Sequence, residues 1–303
     1  MKKKKGLWFT ILAVLSISGI FLSLYILTSL TDNVSKDVYN NIANNYVKNY
    51  KNRVFKKEES YKKIIIALES NKTFINNIEN NEIALVEEKI NDFNEKFKKT
   101  GFETVHLKFY PVLNQVNQYR NSVNSVITTK SKIFGIEVLQ DGIFYVYLEP
   151  IMKDGVLVGI LELKDELHNQ KKEYLRDDVV FLFLLEERML NQLSIKTRNG
   201  KYREVVDTLH VEELKYDGQF FSKIIDLGKD GLKEMLEVGY SVDETYFRAS
   251  YKVSDINGNV IGLIVFGETV DGSRAFVNIV HNMTKTVTTV ALGLVISILL
   301  FMF

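Results

Sequence analysis

TVHLKFY at residues 104–110 and FYVYLE at residues 144–149 decide how the chain is read. In the first run Val105, Leu107 and Phe109 point one way and His106, Lys108 and Tyr110 the other. In the second, Phe144, Val146 and Leu148 oppose Tyr145, Tyr147 and Glu149. Side chains alternate across a strand with a period of two, so each run has one apolar and one polar–aromatic face. Both lie in Phe102–Leu163, which reads as a small antiparallel sheet. The loop Pro111–Asn121 between them carries Gln115, Gln118, Tyr119 and Arg120. A packed core accounts for the apolar faces. The other face is either wet surface or the floor of a small-molecule pocket. The expected packing puts Val105, Leu107, Phe144 and Val146 under a long N-terminal helix. Lys108, Tyr110, Tyr145, Tyr147 and Glu149 are then left facing the loop, with Arg120 reaching in.

Outward from this sheet, Ile133–Leu139, Ile143–Ile151 and Val156–Leu163 read as strands, with aspartate-glycine turns at Asp141-Gly142 and Asp154-Gly155. Ser122–Lys130 fits a helix, and Lys164–Leu175 a charged connecting helix. In the second half, Val179–Leu185 suits a buried strand and Ser194–Lys201 a hairpin. Asp230–Glu237 fits a helix, Tyr246–Val253 and Val260–Glu268 form another hairpin, and Ser273–Met283 leads on as a helix. Gly155–Leu161 parallels Gly258–Ile264, each following an aspartate, which points to two modules built alike.

Upstream, residues 31–70 contain no proline or glycine. Val34, Val38, Ile42, Tyr46, Tyr50 and Val54, then Tyr61, Ile65 and Leu68, form a helical stripe. Lys72–Lys99 reads as one or two shorter helices. Continuous from Leu7 to Ser70, the first helix would be roughly 96 Å long. Its stripe packs on the following domains, on a second subunit, or on both.

Leu7–Leu30 is uncharged and follows Lys2–Lys5. Its length suits a membrane span of roughly 36 Å with the N-terminus in the cytoplasm. The rival reading is a cleaved signal peptide, against which stand the long apolar core and the lack of a cleavage site. Val287–Phe303 is a second uncharged segment, reaching only about 25 Å, and the expectation is either the front part of something longer or a product truncated at its second membrane helix. Composition narrows the classes further. With no cysteine among 303 residues, disulfide and thiolate chemistry are excluded. Four scattered histidines offer no metal spacing, and a net charge of +1 gives no nucleic-acid footprint. No phosphate loop, nucleophile elbow or histidine–carboxylate cluster is visible, so neither enzyme nor cofactor is expected.

With these elements placed, the sequence resembles the double Cache sensor domains of bacterial transmembrane receptors, across almost the whole chain. The resemblance rests on His106 in an early strand, Arg120 in the next segment, Gly135-Ile136-Glu137, and Pro150-Ile151 leading to Gly159-Ile160-Leu161-Glu162. It departs in a shortened segment at Lys108–Asn117 and in Ile136, where the subgroup has an aromatic residue. The resemblance implies an α+β fold with a long N-terminal helix and two tandem PAS-like modules, flanked by two transmembrane helices. The expected division is a cytoplasmic end at 1–6, a first span at 7–30, a helix at 31–75, a membrane-distal module at 76–170, a membrane-proximal module at 171–283, and a second span at 284–303. It further implies reception of a small extracellular metabolite by a homodimer in a bacterial inner membrane, with the main domain periplasmic. A chemotaxis receptor is the first context, a sensor histidine kinase or diguanylate cyclase the alternative, and a non-signalling surface protein the reading from another class.

The candidate ligand-binding residues are His106, Lys108, Tyr110, Tyr119, Arg120, Glu137, Tyr145, Tyr147 and Glu149. Arg120 suits a carboxylate or phosphate, or else is a solvated loop arginine. Glu137 and Glu149 either hold an ammonium group or pair internally with Lys108 and Arg120. Tyr145 and Tyr147 either wall a pocket or pack across strands, and His106 is a ligand contact or a structural residue. The mixed charge favours an amino acid or organic acid as ligand.

Overall fold

A computed structural model describes residues 2–100, 104–112, 119–212 and 217–270, together with helix residues 282–283, 285–290, 292–293 and 296–297. Over most of 2–31 it describes the backbone alone. The fold is α+β, with a long N-terminal helix and two antiparallel sheets. Helix α1 runs from Lys2 to Glu69. Tyr50, Tyr61, Ile65 and Leu68 of the expected stripe are buried, while Val34 is 48% exposed. Among the described residues no helix is long and apolar enough to cross a membrane. Most side chains of Leu7–Leu30, much of Val287–Phe303 and most of Ser273–Met283 lie outside the described residues.

Two compact units divide the chain: Met1–Asn45 with Gly239–Arg248 and Glu268–Phe303, and Tyr46–Val238 with Ala249–Gly267. In the smaller unit, strand β8 (Tyr240–Val242) leads to the first residues of β9 (Tyr246–Ser254), and the Tyr39 ring lies 5.6 Å from Tyr240 and 5.8 Å from Phe247.

The larger unit holds the first sheet entire. Helices α2 (Lys72–Glu79) and α3 (Ile83–Lys99) precede β1 (Val105–Pro111), α4 (Asn121–Thr129), β2 (Ile133–Leu139), β3 (Gly142–Lys153) and β4 (Val156–Glu166), in the order β1-β4-β3-β2. Asp154 and Gly155 turn β3 into β4 with φ of 50° and 79°, the backbone that aspartate-glycine favours in a tight hairpin. Strand β4 runs three residues beyond the expected Leu163, and the helix after it, α5, is only Gln170–Leu175. Lys164 pairs in register with His106 and Val146, and Asp165 with Val105 and Tyr145. The ladder therefore holds this charged end extended.

The register also corrects the expected faces. Val105, Leu107 and Phe109 sit in line with Asp165, Leu163 and Leu161, and these with Tyr145, Tyr147 and Glu149. Lys108 and Tyr110 instead share a face with Glu162, Ile160, Leu148 and Pro150. Phe144, Val146 and Leu148 therefore do not join Val105 and Leu107 under α1. They form a core with Tyr110, Val123, Val126 and Ile160, beneath α4.

In the second sheet β5 (Val180–Glu186) lies between β7 (Leu209–Glu212) and β10 (Val260–Thr269), with β6 (Tyr202–Val206) beyond β7 and β9 (Tyr246–Ser254) beyond β10. The hairpin expected at Ser194–Lys201 is a short helix, α6 (Ile195–Arg198), because the Ser194 side chain caps it by accepting from Thr197 N. Helix α7 (Gly218–Val238) is longer than expected and is interrupted at Gly228. The repeated glycines have a packing cause: a Cβ on Gly159 would stand 2.2 Å from the Phe109 ring, and one on Gly262 2.2 Å from the Leu184 carbonyl oxygen. The sheets dock through Ile256 N, which donates to Ile136 O at 3.0 Å. Gly135 leaves room for it, since a Cβ there would meet Ile256 Cγ2 at 2.5 Å.

Candidate functional site

Four of the expected residues meet on the α4-covered face of the first sheet. Arg120 immediately precedes α4, with extended backbone (φ −63°, ψ 160°) that turns its side chain back over the sheet. Its Nε donates to Glu137 Oε2 at 3.0 Å and to Ser122 Oγ at 2.9 Å. Nη2 donates to Glu162 Oε1 at 2.5 Å and Nη1 to the Tyr110 hydroxyl at 2.6 Å. Tyr110 in turn donates to Glu162 Oε2 at 2.6 Å, and Ser122 to Glu137 Oε1 at 2.8 Å. The Tyr119 ring meets Tyr110 edge-on at 5.2 Å, and its hydroxyl donates to Pro111 O at 2.8 Å.

Burial sets the electrostatics of this cluster. The Glu162 side chain is 1% exposed, Glu137 15% and Arg120 23%. Burial works against the charged guanidinium, but Glu162 and then Glu137 outweigh it and hold Arg120 firmly protonated. Burial pushes the Glu137 carboxyl above its ordinary 4.5, with Arg120 only partly opposing. Burial and Glu162 push the Tyr110 hydroxyl up as well. One guanidinium faces two carboxylates, a formal excess of one negative charge among these three groups, with the exposed Lys108 beside them in register with Glu162. Glu162 and Ser122 complete it, and neither was among the expected site residues. The signal for Glu162 was a lone carboxylate inside the apolar run Val156–Leu163, the same oddity that marks Glu137 in Ile133–Leu139.

The remaining expected residues lie elsewhere. His106 and Lys108 are on the same face but exposed, with Lys108 Nζ 4.6 Å from the Tyr110 ring centre. Gln115 and Gln118 lie outside the described residues. Tyr145, Tyr147 and Glu149 are on the opposite face, beneath α1. The Tyr145 hydroxyl is 3.1 Å from that of Tyr50, the Tyr61 ring meets Tyr147 edge-on at 6.4 Å, and Tyr147 donates to Glu149 at 2.7 Å.

Lys57 of α1 pairs on this second face with Asp165, which is 3% exposed. Burial alone would raise the Asp165 carboxyl, but Lys57, helped by Thr104 and Asn169, holds it below 3.8. A carboxyl depressed in the folded state adds stability above its unfolded value, and that stability is lost as pH falls through the folded value. Lys57→Met is expected to cost about 2 kcal/mol at neutral pH and to move acid unfolding upward. Denaturant titrations from neutral to acidic pH check this; an unchanged acid midpoint contradicts it.

Solved structures this chain is similar to include extracellular, ligand-binding and sensory domains. One is the extracellular domain of a protein described as histidine kinase vpHK1S-Z8, with a TM-score of 0.43, 11% identity, and coverage of 84% of this chain and 94% of that one. Another is the ligand-binding domain of Pseudomonas fluorescens chemoreceptor CtaA in complex with L-isoleucine, at 0.36 and 13%, covering 76% and 94%. A third is the sensory domain of the Campylobacter jejuni chemoreceptor Tlp3, at 0.35 and 12%, covering 82% and 96%. At these identities none assigns a ligand or an output to this chain. No family model matches the sequence, and no curated protein does.

Proposed function

We propose that the chain is the sensing module of a membrane-anchored receptor, which binds a small ammonium-bearing metabolite outside the cytoplasmic membrane. An amino acid falls within that class. The observation that carries this is the charge of the Arg120 cluster: one guanidinium between two carboxylates, roofed by α4 and edged by Tyr110 and Tyr119. The arginine donors are engaged by Glu137, Glu162, Ser122 and Tyr110, so a ligand carboxylate would have to displace a protein carboxylate. An ammonium group instead supplies the missing positive charge, at Glu137, the more exposed of the two acids.

In this reading 76–170 is the membrane-distal, ligand-holding module and 171–283 the proximal one, with spans at 7–30 and 284–303. A homodimer forms along α1, where Phe55 and Ile66 are 62% and 51% exposed. A ligand that prefers one of two arrangements would shift α1 along its axis and carry the signal inward; a chemotaxis receptor is the first context.

The test is a thermal-shift and calorimetric panel of amino acids, amines and carboxylic acids on the full chain in detergent micelles. A member bearing an ammonium group is expected to bind, and Glu137→Gln to weaken it by about 10- to 150-fold. The reading fails if no such member binds, or if Glu137→Gln and Arg120→Ala both leave the affinity unchanged.

A further inference from the structure

A cleft of about 150 Å³ opens where the second sheet meets the turn end of the first, room for about five waters. On one side are the β2–β3 turn at Asp141–Ile143 and the segment Glu166–His168, with Lys171 beyond. On the other, one face of the second sheet supplies Tyr202, His210, Glu212, Leu185, Phe183 and Phe181. Register explains this grouping: Tyr202 stands opposite Glu212, and His210 lies between Glu204 and Leu185. The walls are tied together, since Ser194 N and Thr197 Oγ1 both donate to Gln140 O, at 2.9 and 2.7 Å.

The polar groups of this cleft do not balance. Two of its carboxylates have a partner, Asp141 accepting from Lys164 at 2.6 Å and Glu166 lying 2.8 Å from His168 Nδ1. His210 Nδ1, by contrast, is buried without a hydrogen-bond partner. Among the described residues the Lys201 ammonium enters no ion pair, although Lys201 and Tyr202 line the same half-buried wall. Burial, with Glu212 and Glu166, pushes the Tyr202 hydroxyl up, so at neutral pH it stays a donor. Three nitrogen or hydroxyl groups able to donate thus line a space floored by Phe181, Phe183 and Leu185. A buried polar nitrogen without a partner is costly, and a ligand oxygen removes that cost.

We propose that this cleft is a second ligand site, which takes a small monocarboxylate with an apolar tail. The carboxylate accepts from Lys201, Tyr202 and His210, and the tail lies on Phe181 and Phe183. Such a site touches both sheets at once, so its occupancy would act on how they dock, separately from whatever the Arg120 cluster binds.

Phenylacetate and isovalerate serve as probes, titrated by calorimetry into the full chain in micelles. Saturable binding is expected, and Lys201→Met and His210→Leu should each weaken it at least about tenfold. Tyr202→Phe, which removes one hydroxyl without changing shape, should weaken it less and leave thermal stability unchanged. Glu137→Gln, which keeps the Arg120 guanidinium in place, should leave the probe affinity as it is, which separates this site from the first. The proposal is overturned if neither probe binds, or if phenethylamine binds in their place. It is equally overturned if binding survives both Lys201→Met and His210→Leu, or vanishes with Glu137→Gln alone.

Discussion

Arg120→Ala is expected to lower the stability of the chain by about 3–5 kcal/mol, the range for removing one partner of a buried ion pair. The cost arises in what stays behind. Glu162 is 1% exposed and would keep only the Tyr110 hydroxyl, while Glu137 would keep only Ser122. Two carboxylates would then share a poorly solvated face without a cation. Glu137 is already raised by burial, and losing the opposing guanidinium would raise it further. A carboxyl raised in the folded state favours folding below its unfolded value, and that advantage is lost as pH rises through the folded value. The variant should therefore recover stability on mild acidification from neutral pH, where the parent gains less. Glu162→Gln with Arg120→Met removes both charges and should cost less than Arg120→Ala alone. Urea unfolding of the parent and the two variants at neutral pH and near pH 5 tests this. Equal losses at both pH values would show that the cluster is not an ionic unit.

Gly262→Ala is the second large effect, at about 3 kcal/mol or more. Small-to-large changes in a packed core usually cost about 1–3 kcal/mol, because side chains can move aside. Here the first obstacle is backbone: the new Cβ would stand 2.2 Å from the Leu184 carbonyl oxygen and 2.8 Å from the Phe183 ring. Leu184 is in the middle of β5, paired to β10 along Gly262–Gly267, so relief means prying two central strands apart. Gly159→Ala also meets an obstacle at 2.2 Å, but that is the ring of Phe109, a side chain that can turn. The expected order is therefore Gly262→Ala worse than Gly159→Ala, read as the shift in denaturant midpoint. The reverse order would mean that β5 and β10 are not held as tightly as their register implies.

Much of this architecture is local, and so was legible in residue order. Alternation with period two placed β1, β2 and β3 to within a few residues, because each strand's pattern is written in its own side chains. Proline- and glycine-free spacing from Thr31 to Ser70 placed α1, and aspartate-glycine placed the hairpin turns. Arg120 and Glu137 stood out as charged groups beside apolar runs, and both are in the cluster. Alternation cannot say which face of one strand lies beside which face of the next. That phase depends on register, and the pairing of Val105 with Asp165 and of Asp165 with Tyr145 put the tyrosines under α1 and Phe144 under α4. Nor could local pattern tell that Lys164–Glu166 would extend β4, since those residues favour a helix until two neighbouring strands bind them. Glu162 reaches Arg120 across 42 positions of chain, and His210 shares a cleft with the turn after β2 only once the two sheets have docked. Short-range geometry made the strands and helices predictable; long-range pairing, which no single segment encodes, decided which charges share a site.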